Sequence, residues 1–189
     1  MRLRRLVSTL SPLITVGVFL LVFGIAYSSG MSMYPTIKDN TVLVVNKLKT
    51  PSYGDIVTIY SDELDKILLK RVIGFEGDKI SIKNGIVYRN GERLSENFNK
   101  DITTNLNYIV ESNHVFVMGD NRNNSTDSRE LGAIPVNNIK GTVILNTGIS
   151  KSVFIPTSFI IMGVLLLYAF IQDKRDDKRR LKNNLSVKC

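Results

Sequence analysis

Cysteine and histidine are almost absent from this sequence, with one of each among 189 residues. The cysteine is Cys189, the last residue, so no internal disulfide and no multi-cysteine metal site can form. A catalytic triad built on histidine would have to use His114, which begins an apolar segment where histidine is more often structural. The carboxylates show no clustered spacing typical of metal ligands. The sequence therefore predicts a domain that is stable without disulfides and carries no metal or other cofactor.

An excess of positive charge is missing from the middle of the chain. The formal net charge is +8, and a dense basic surface would point to nucleic acid. Residues 28–151, however, hold 15 basic and 14 acidic residues. Residues 1–5 carry three arginines, and residues 172–189 carry seven basic residues against three acidic ones. Because lysine and arginine concentrate on the cytoplasmic flanks of membrane helices, the distribution predicts membrane lipid as a partner and no nucleic acid.

Two uncharged apolar runs are long enough to cross a bilayer. Residues 6–27 and 153–171 each reach across a hydrocarbon layer of roughly 30 Å as helices. The first run could instead be a cleavable secretory signal, although it is longer than the apolar core of such a signal, and the second could be a buried core helix. The basic flanks favour two transmembrane helices, with residues 1–5 and 172–189 in the cytoplasm. The domain 28–151 is then predicted to lie on the outer side of the cytoplasmic membrane.

The apolar residues of this domain come in short runs separated by turn residues. The runs are TVLVV, DIVTIY, ILLKRVIG, KISI, GIVY and HVFVM. Runs of this length with β-branched residues are typical of strands, and no convincing amphipathic helix lies between residues 41 and 145. Asn84-Gly85 and Asn90-Gly91 favour tight turns, because asparagine and glycine tolerate positive φ. The fold class predicted is mainly β, flanked by two transmembrane helices.

A serine and a lysine are the best candidates for chemistry once histidine, cysteine and metal are set aside. Ser32 follows the first apolar run closely, between Gly30 and Pro35. A lysine can act as its base only when neutral, and at a pKa of about 10.4 only roughly 0.1% is neutral near pH 7.4. Lys70 ends an apolar stretch and would share a strand face with Leu68, so burial can lower its pKa. The alternative is that Lys70 points to solvent from an edge strand.

Four blocks of the sequence, in this order, resemble the type I signal peptidase family of bacteria. They are SGMSMYPT (29–36), GDIV (54–57), KRVIGFEGD (70–78) and MGDNRNNSTDSR (118–129). The first block resembles the nucleophile segment, where Met33 follows the serine, and the third resembles the general-base segment. Lysine rather than histidine at position 70 resembles the bacterial branch of the family. The blocks extend behind an N-terminal anchor along nearly the whole chain.

The resemblance implies a β-rich catalytic domain with a Ser32/Lys70 dyad that cleaves signal peptides from exported preproteins after a small residue. It also implies that Ser125 hydrogen-bonds the Lys70 amine and that Asp127 and Arg129 form a charged pair bracing their loop.

This sequence departs from the family pattern at three positions. Gly30 replaces the serine whose hydroxyl assists the oxyanion in some members. Glu76 and Asn123 replace the usual proline and aspartate, and neither falls on the dyad.

Three other interpretations stay open at this point. A self-cleaving serine-lysine protein of the repressor type has a similar catalytic domain, but it carries a soluble N-terminal module in place of a membrane helix. A maturation protease with one dedicated substrate shares the mechanism. A catalytically silent membrane protein could keep the fold as a binding module, although it would not require this combination of residue types.

Overall fold

The computed structural model describes residues 21–95 and 105–158, and beyond them the positions 163–165, 167, 168, 171 and 175. The chain divides into two compact units, Met1–Gly148 and Ile149–Cys189. The elements in chain order are β1 (Phe23–Tyr27), β2 (Thr41–Asn46), β3 (Ile56–Ser61), β4 (Lys66–Phe75), β5 (Lys79–Lys83), β6 (Ile86–Arg89), β7 (Glu92–Arg93), β8 (Leu106–Ile109), β9 (His114–Met118), α1 (Ser128–Leu131), β10 (Ile134–Pro135), a 3₁₀ turn (Val136–Asn138) and β11 (Ile139–Ser150). The mainly β fold class is confirmed.

Two sheets organise the first unit. The larger has seven strands in the order β1-β2-β11-β3-β4-β9-β10, and the smaller has four in the order β7-β6-β5-β8. The six apolar runs that predict strands form β2, β3, β4, β5, β6 and β9. Since β4 lies between β3 and β9, its residues are supported from both neighbours along part of its length.

The two Asn-Gly pairs close the hairpins of the smaller sheet. Asn84 and Gly85 have φ of 49° and 77°, between paired residues Lys83 and Ile86. Asn90 and Gly91, with φ of 54° and 86°, join β6 to β7 in the same way. Positive φ at both central residues matches the right-handed twist of the flanking strands. The predicted meander is confirmed.

Buried apolar side chains hold the sheets together. One cluster combines Ile73 and Phe116 of the larger sheet with Ile80 and Ile82 of the smaller one. Burial of side chains of this size contributes roughly 1.5–3 kcal/mol each relative to exposure. Gly74 permits the close approach, because a Cβ at this position would lie 2.7 Å from Cδ1 of Ile80. The core therefore fixes β4 against the smaller sheet.

The end of the first apolar run is a strand and not a helix, so the helix predicted over residues 6–27 is wrong for Phe23–Tyr27. These residues form β1 and pair antiparallel with β2, Phe23 opposite Asn46 and Tyr27 opposite Val42. An uninterrupted apolar run does not by itself separate a buried helix from a strand, and the aromatic and β-branched residues here suit either. The pairing with β2 decides the conformation. Residues 1–20 lie outside the described residues.

The second unit begins with the last two residues of β11, Ile149 and Ser150, and is helical at its other described positions. Residues 151–158 and the described positions from 163 to 175 have helical conformation. The transmembrane helix predicted over 153–171 stays a prediction, because several of these positions lie outside the described residues. Most of the predicted tail 172–189 lies outside the described residues. Within the part of the chain that the structure describes, no helix combines the length and apolar character needed to cross a membrane.

Candidate active site

The loop between β1 and β2 carries Ser32. Its ends are joined where Ser28 N–H donates to the Thr41 carbonyl at 2.9 Å and Thr41 N–H donates to the Ser28 hydroxyl at 2.8 Å. Met33 and Ile37 are buried and form a small core cluster under the loop. Because Met33 directly follows Ser32, its burial fixes the point at which the chain returns to the core. This places Met33 beneath the serine as an apolar anchor.

Gly30 lies two residues before Ser32 and has a φ of +86°. This is the left-handed region that glycine adopts at little cost. A Cβ there would meet no atom within 4 Å. Glycine is therefore favoured by the backbone conformation, and there is space for a side chain. The Gly30 N–H donates to Oδ1 of Asp39 at 2.8 Å. Gly30 supplies no hydroxyl to the site.

Lys70 lies on β4 opposite Val57 of β3, and its residue surface is only 3% exposed. Its Nζ lies 3.1 Å from Oγ of Ser32. The structure thus brings together the two residues that the sequence proposes as nucleophile and base, from the β1–β2 loop and from β4. The interpretation of Lys70 as a solvent-facing edge lysine is excluded by its burial.

Burial lowers the pKa of Lys70 from 10.5 to about 8, because the charged amine loses solvation that the neutral amine needs less. The Asp127 carboxylate acts in the opposite direction and raises this pKa, while the positive charges of Lys66 and Arg129 lower it. Desolvation is the largest of these effects. A lysine in this environment is close enough to neutrality to accept a proton near physiological pH.

Asp127 is the centre of the loop that precedes α1, and its residue surface is 1% exposed. Its Oδ2 accepts hydrogen bonds from Gly119 N–H at 2.8 Å and from the Ser125 hydroxyl at 2.9 Å. Arg129 donates through Nε to Oδ1 at 2.8 Å and through Nη2 to Oδ2 at 2.9 Å. Asp127 also caps α1 by accepting from Arg129 N–H. The charged pair expected from the resemblance is present, and it braces the loop.

Ser125 has a different partner from the one that the resemblance implies. Its hydroxyl donates to Asp127, whereas the hydrogen bond of Lys70 is to Ser32. A carboxylate is a stronger acceptor than a neutral amine, so the hydroxyl proton is directed towards Asp127. Ser125 still lines the same cleft as Lys70. The predicted hydrogen bond from Ser125 to the Lys70 amine is therefore replaced by one to Asp127, the carboxylate that raises the pKa of Lys70.

Gly119 is a site residue that sequence reasoning missed. A Cβ at this position would lie 2.5 Å from Cβ of Ser125 and 2.6 Å from the carbonyl oxygen of Ser32, and would also overlap Oγ of Ser125. Only a residue without a side chain lets the nucleophile loop and the 118–129 loop approach this closely. A glycine inside the fourth sequence block indicates a possible close approach of two segments, but nothing in the sequence indicates which segments meet there.

For the peptide cleavage that the resemblance implies, the variant Gly119→Ala is expected to lower kcat/KM by about 100-fold, because a shift of about 1 Å in a catalytic group can have that effect. Overpacking should also lower the free energy of unfolding by about 1–3 kcal/mol. Peptide cleavage and thermal unfolding measure the two effects. Gly24→Ala is the matched control, since its Cβ would meet only the flexible Lys47 side chain at 3.1 Å. Activity of Gly119→Ala equal to that of the control would show that the close approach is unimportant.

A second group of residues that the sequence left without roles joins the loop to β4. Arg71 donates to both carboxylate oxygens of Asp120, through Nε at 2.8 Å and Nη2 at 2.6 Å. Asp120 is fully buried. Bidentate pairs of this kind fix geometry as well as charge. Since Arg71 follows Lys70 directly, the pair ties the 118–129 loop to the strand that carries the lysine.

An open cleft of about 500 Å³ contains Ser32 and Lys70. One wall comes from residues 26–33 and another from residues 66–70, with residues 124–126 beside them. Among the described residues that line the cleft, the charged ones are Lys66 and Lys70. The dyad therefore lies where a peptide of extended shape can reach it.

His114 lies away from this cleft and begins β9. Its Nδ1 is 2.8 Å from the carbonyl oxygen of Ser112, and the residue pairs with Pro135 of β10. These contacts belong to the end of the sheet. His114 therefore has a structural role at the end of the sheet and does not contact Ser32.

The sequence matches a family model and several known proteins. Residues 3–147 match the model of the family described as signal peptidase, peptidase S26. A probable signal peptidase I-1 from Synechocystis sp. is 39% identical over 129 residues, which cover 61% of this chain and 66% of that protein. A signal peptidase I from Bacillus amyloliquefaciens is 39% identical over 144 residues, covering 67% of this chain and 71% of that protein.

A signal peptidase I from Bacillus caldolyticus is 33% identical over 147 residues, covering 66% of this chain and 79% of that protein. A crystal structure of a signal peptidase I from Enterococcus faecalis V583 aligns with 50% of this chain and 97% of that chain, at a TM-score of 0.45 and 28% identity. The family model spans all three segments that line the cleft, including Ser32 and Lys70. The chain belongs to the signal peptidase family, peptidase S26.

Proposed function

We propose that this protein is a serine endopeptidase that removes signal peptides from exported preproteins at the membrane. The observation that carries the proposal is the 3.1 Å contact between Ser32 Oγ and the Nζ of a buried lysine, at the base of an open cleft. A solvent-exposed lysine would be fully charged at neutral pH and could not accept the serine proton. Lys70 is the exception that burial creates.

Ser32 is the nucleophile and Lys70 the general base. With a pKa of about 8, roughly a fifth of Lys70 is neutral at pH 7.4, compared with roughly 0.1% of a free lysine. The neutral amine takes the hydroxyl proton while Ser32 Oγ attacks the carbonyl carbon of the scissile bond, and the protonated amine then gives this proton to the leaving nitrogen. A water deprotonated by Lys70 later hydrolyses the acyl-enzyme. The base is regenerated in each cycle.

The backbone N–H of Ser32 is the proposed donor to the oxyanion of the tetrahedral intermediate. The Gly30 N–H is already bonded to Asp39 at 2.8 Å, and Gly30 has no side chain to contribute. Oxyanion stabilisation needs donors that are oriented before the reaction. The burial of Met33, the next residue, supplies that orientation by fixing the backbone after the serine.

The first part of β4 offers the substrate a strand edge. Residues 66–70 pair with β3 on one side, whereas β9 pairs only with residues 71–75 on the other. The main-chain groups of 66–69 that point away from β3 have no strand partner among the described residues, and these residues line the cleft. An extended peptide can add to such an edge through backbone hydrogen bonds. The preferred substrate is a signal peptide with small residues at the first and third positions before the cleaved bond.

The proposed topology places the catalytic domain, predicted as residues 28–151 and extended by β1 to residues 23–151, outside the cytoplasmic membrane. Residues 6–22, which precede β1, and residues 153–171 serve as membrane spans, and the ends 1–5 and 172–189 lie in the cytoplasm. The basic flanks and the length of the apolar runs support this arrangement. Membrane lipid is then a partner. Anchoring raises the effective concentration of substrates whose signal peptides lie in the same bilayer.

Cleavage of a preprotein with an Ala-x-Ala site by the full-length protein in detergent tests the function. Wild type should cut after the second alanine, and replacement of that alanine by leucine should abolish the cut. Ser32→Ala should be inactive on the same substrate while unfolding at the wild-type temperature. An inactive wild type would favour a dedicated maturation protease or a silent binding protein, and an active Ser32→Ala would exclude Ser32 as the nucleophile.

A further inference from the structure

The backbone of residues 30–32 is held by three hydrogen bonds from other parts of the chain. The Gly30 N–H donates to Asp39 Oδ1 at 2.8 Å. Asn121 makes the other two, donating through its side-chain Nδ2 to the Met31 carbonyl at 3.0 Å and through its backbone N–H to the Ser32 carbonyl at 2.9 Å. Gly30, Met31 and Ser32 thus each have one backbone group that is hydrogen-bonded to a residue outside this segment.

Burial of its side chains does not hold this segment. Ser29, Gly30 and Met31 are exposed and Ser32 is half-buried, so the buried anchor begins only at Met33. Gly30, with its φ of +86°, is also the residue type with the greatest conformational freedom in the chain. Directed hydrogen bonds therefore remain as the means of fixing the segment.

Asp39 reaches Gly30 from the returning arm of the same loop. The next residue, Asn40, has a φ of 57° and donates its N–H to the Ser28 carbonyl at 3.1 Å. Its side-chain Nδ2 donates to Oδ2 of Asp39 at 3.2 Å, which leaves Oδ1 directed at Gly30. The carboxylate is exposed, so it adds nothing to the core of the domain. The contribution of Asp39 to the structure is its hydrogen bond across the loop to Gly30.

Asn121 reaches the segment from the opposite side, in the 118–129 loop. The preceding residue, Asp120, is buried and bonded in bidentate fashion to Arg71. Arg71 follows Lys70 on β4. Asn121 therefore connects Ser32, through Asp120 and Arg71, to the strand that carries Lys70. This short chain of contacts fixes the distance between Ser32 and Lys70.

We propose that Asp39 and Asn121 are positioning residues that clamp the segment Gly30–Ser32 from two sides and so hold the serine hydroxyl on the Lys70 amine. The inference rests on the proposed function and adds two residues to its machinery. Neither touches the reacting atoms. Catalytic groups need to be held within about 0.5 Å of their productive positions, which exposed backbone alone does not ensure.

The kinetic test uses the full-length protein in detergent with the Ala-x-Ala preprotein. Asp39→Ala and Asn121→Ala should each lower kcat by about 10-fold to 100-fold with KM within about twofold of wild type. Asp39→Asn keeps an acceptor oxygen and should recover most of the activity. The pH midpoint of kcat should stay in place, because the charges that shift the pKa of Lys70 are those of Asp127, Lys66 and Arg129.

Glu76→Ala is the matched control for Asp39→Ala. Glu76 is also an exposed carboxylate that accepts a backbone N–H at 2.8 Å, from Asn113, in a loop away from the cleft. Its removal should leave kcat unchanged. Equal activity of Asp39→Ala and Glu76→Ala would overturn the clamp, as would an Asp39→Asn variant no more active than Asp39→Ala.

Hydrogen–deuterium exchange gives a readout that does not depend on activity. Amides of residues 29–33 should exchange faster in Asp39→Ala than in wild type, and at the wild-type rate in Glu76→Ala. Unchanged exchange in Asp39→Ala would overturn the clamp even if no substrate were cleaved. An inactive wild type with the expected exchange pattern would instead contradict the proposed function and leave the clamp supported.

Discussion

Replacing Lys70 with methionine is expected to abolish cleavage and at the same time to stabilise the protein at neutral pH. A general base contributes about 100-fold to 10,000-fold to rate, so kcat/KM should fall by at least about 1,000-fold. The stabilisation follows from the lowered pKa. A shift from 10.5 to about 8 corresponds to roughly 3 kcal/mol of unfavourable free energy for the charged amine in the folded state.

Methionine has a similar length and no charge, so it removes this cost. The hydrogen bond between Lys70 and Ser32 is lost as well, which offsets about 1 kcal/mol. The free energy of unfolding of Lys70→Met should therefore exceed that of wild type by about 1–2 kcal/mol at pH 7. Thermal unfolding of the full-length protein in detergent measures the difference. A Lys70→Met protein less stable than wild type would mean that the lysine is well solvated and contradict its depressed pKa.

The pH dependence of stability has a definite sign. Between pH 8 and 10.5 the unfolded chain keeps the Lys70 proton while the folded chain has released it, so the wild-type free energy of unfolding rises with pH in this window. Below about pH 8 the full cost of burying the charge is present. Lys70→Met should lack this rise. Lys83→Met, at an exposed lysine on β5, is the control and should keep it.

Replacing Asp127 with alanine is expected to destabilise the protein by about 3–5 kcal/mol, because it leaves a buried guanidinium without its partner. The Arg129 side chain is 8% exposed and that of Asp127 fully buried. The same change removes the acceptor for Gly119 N–H and for the Ser125 hydroxyl. Cleavage should fall by at least about 100-fold, since the loop beside the dyad loses its centre.

The double variant Asp127→Ala/Arg129→Met separates the two effects of this change. It removes the unpaired charge and should regain stability relative to Asp127→Ala, while activity stays low because Ser125 and Gly119 remain without their acceptor. Thermal unfolding and cleavage rates of both variants provide the comparison. Recovery of activity together with stability would show that Asp127 acts only through folding.

Any residual activity of Asp127→Ala should show an altered pH dependence. The Asp127 carboxylate raises the pKa of Lys70, so its loss lowers that pKa further. The rising limb of the pH–rate profile should then move to lower pH. A shift to higher pH would contradict the direction of this electrostatic effect.

The sequence by itself determined six of the strands, the two Asn-Gly turns and the pair of residues for chemistry. Short runs rich in β-branched residues predicted β2, β3, β4 and β9, because such residues pack well on the pleated surface of a strand. The Asn-Gly pairs predicted two hairpins for an equally local reason. The scarcity of histidine and cysteine, together with four ordered blocks, led to Ser32 and Lys70 before any distance was known.

The tertiary structure alone decided the features that depend on distant segments meeting. Phe23–Tyr27 became a strand because β2 pairs with it, although the sequence there continues an apolar run. The Ser125 hydroxyl turned to Asp127, and Gly119 proved to be the point where two loops touch. Composition and spacing record which residues are present and how often. They do not record which backbone groups need a partner, and the burial that lowers the pKa of Lys70 arises only when β4 is enclosed by its neighbours.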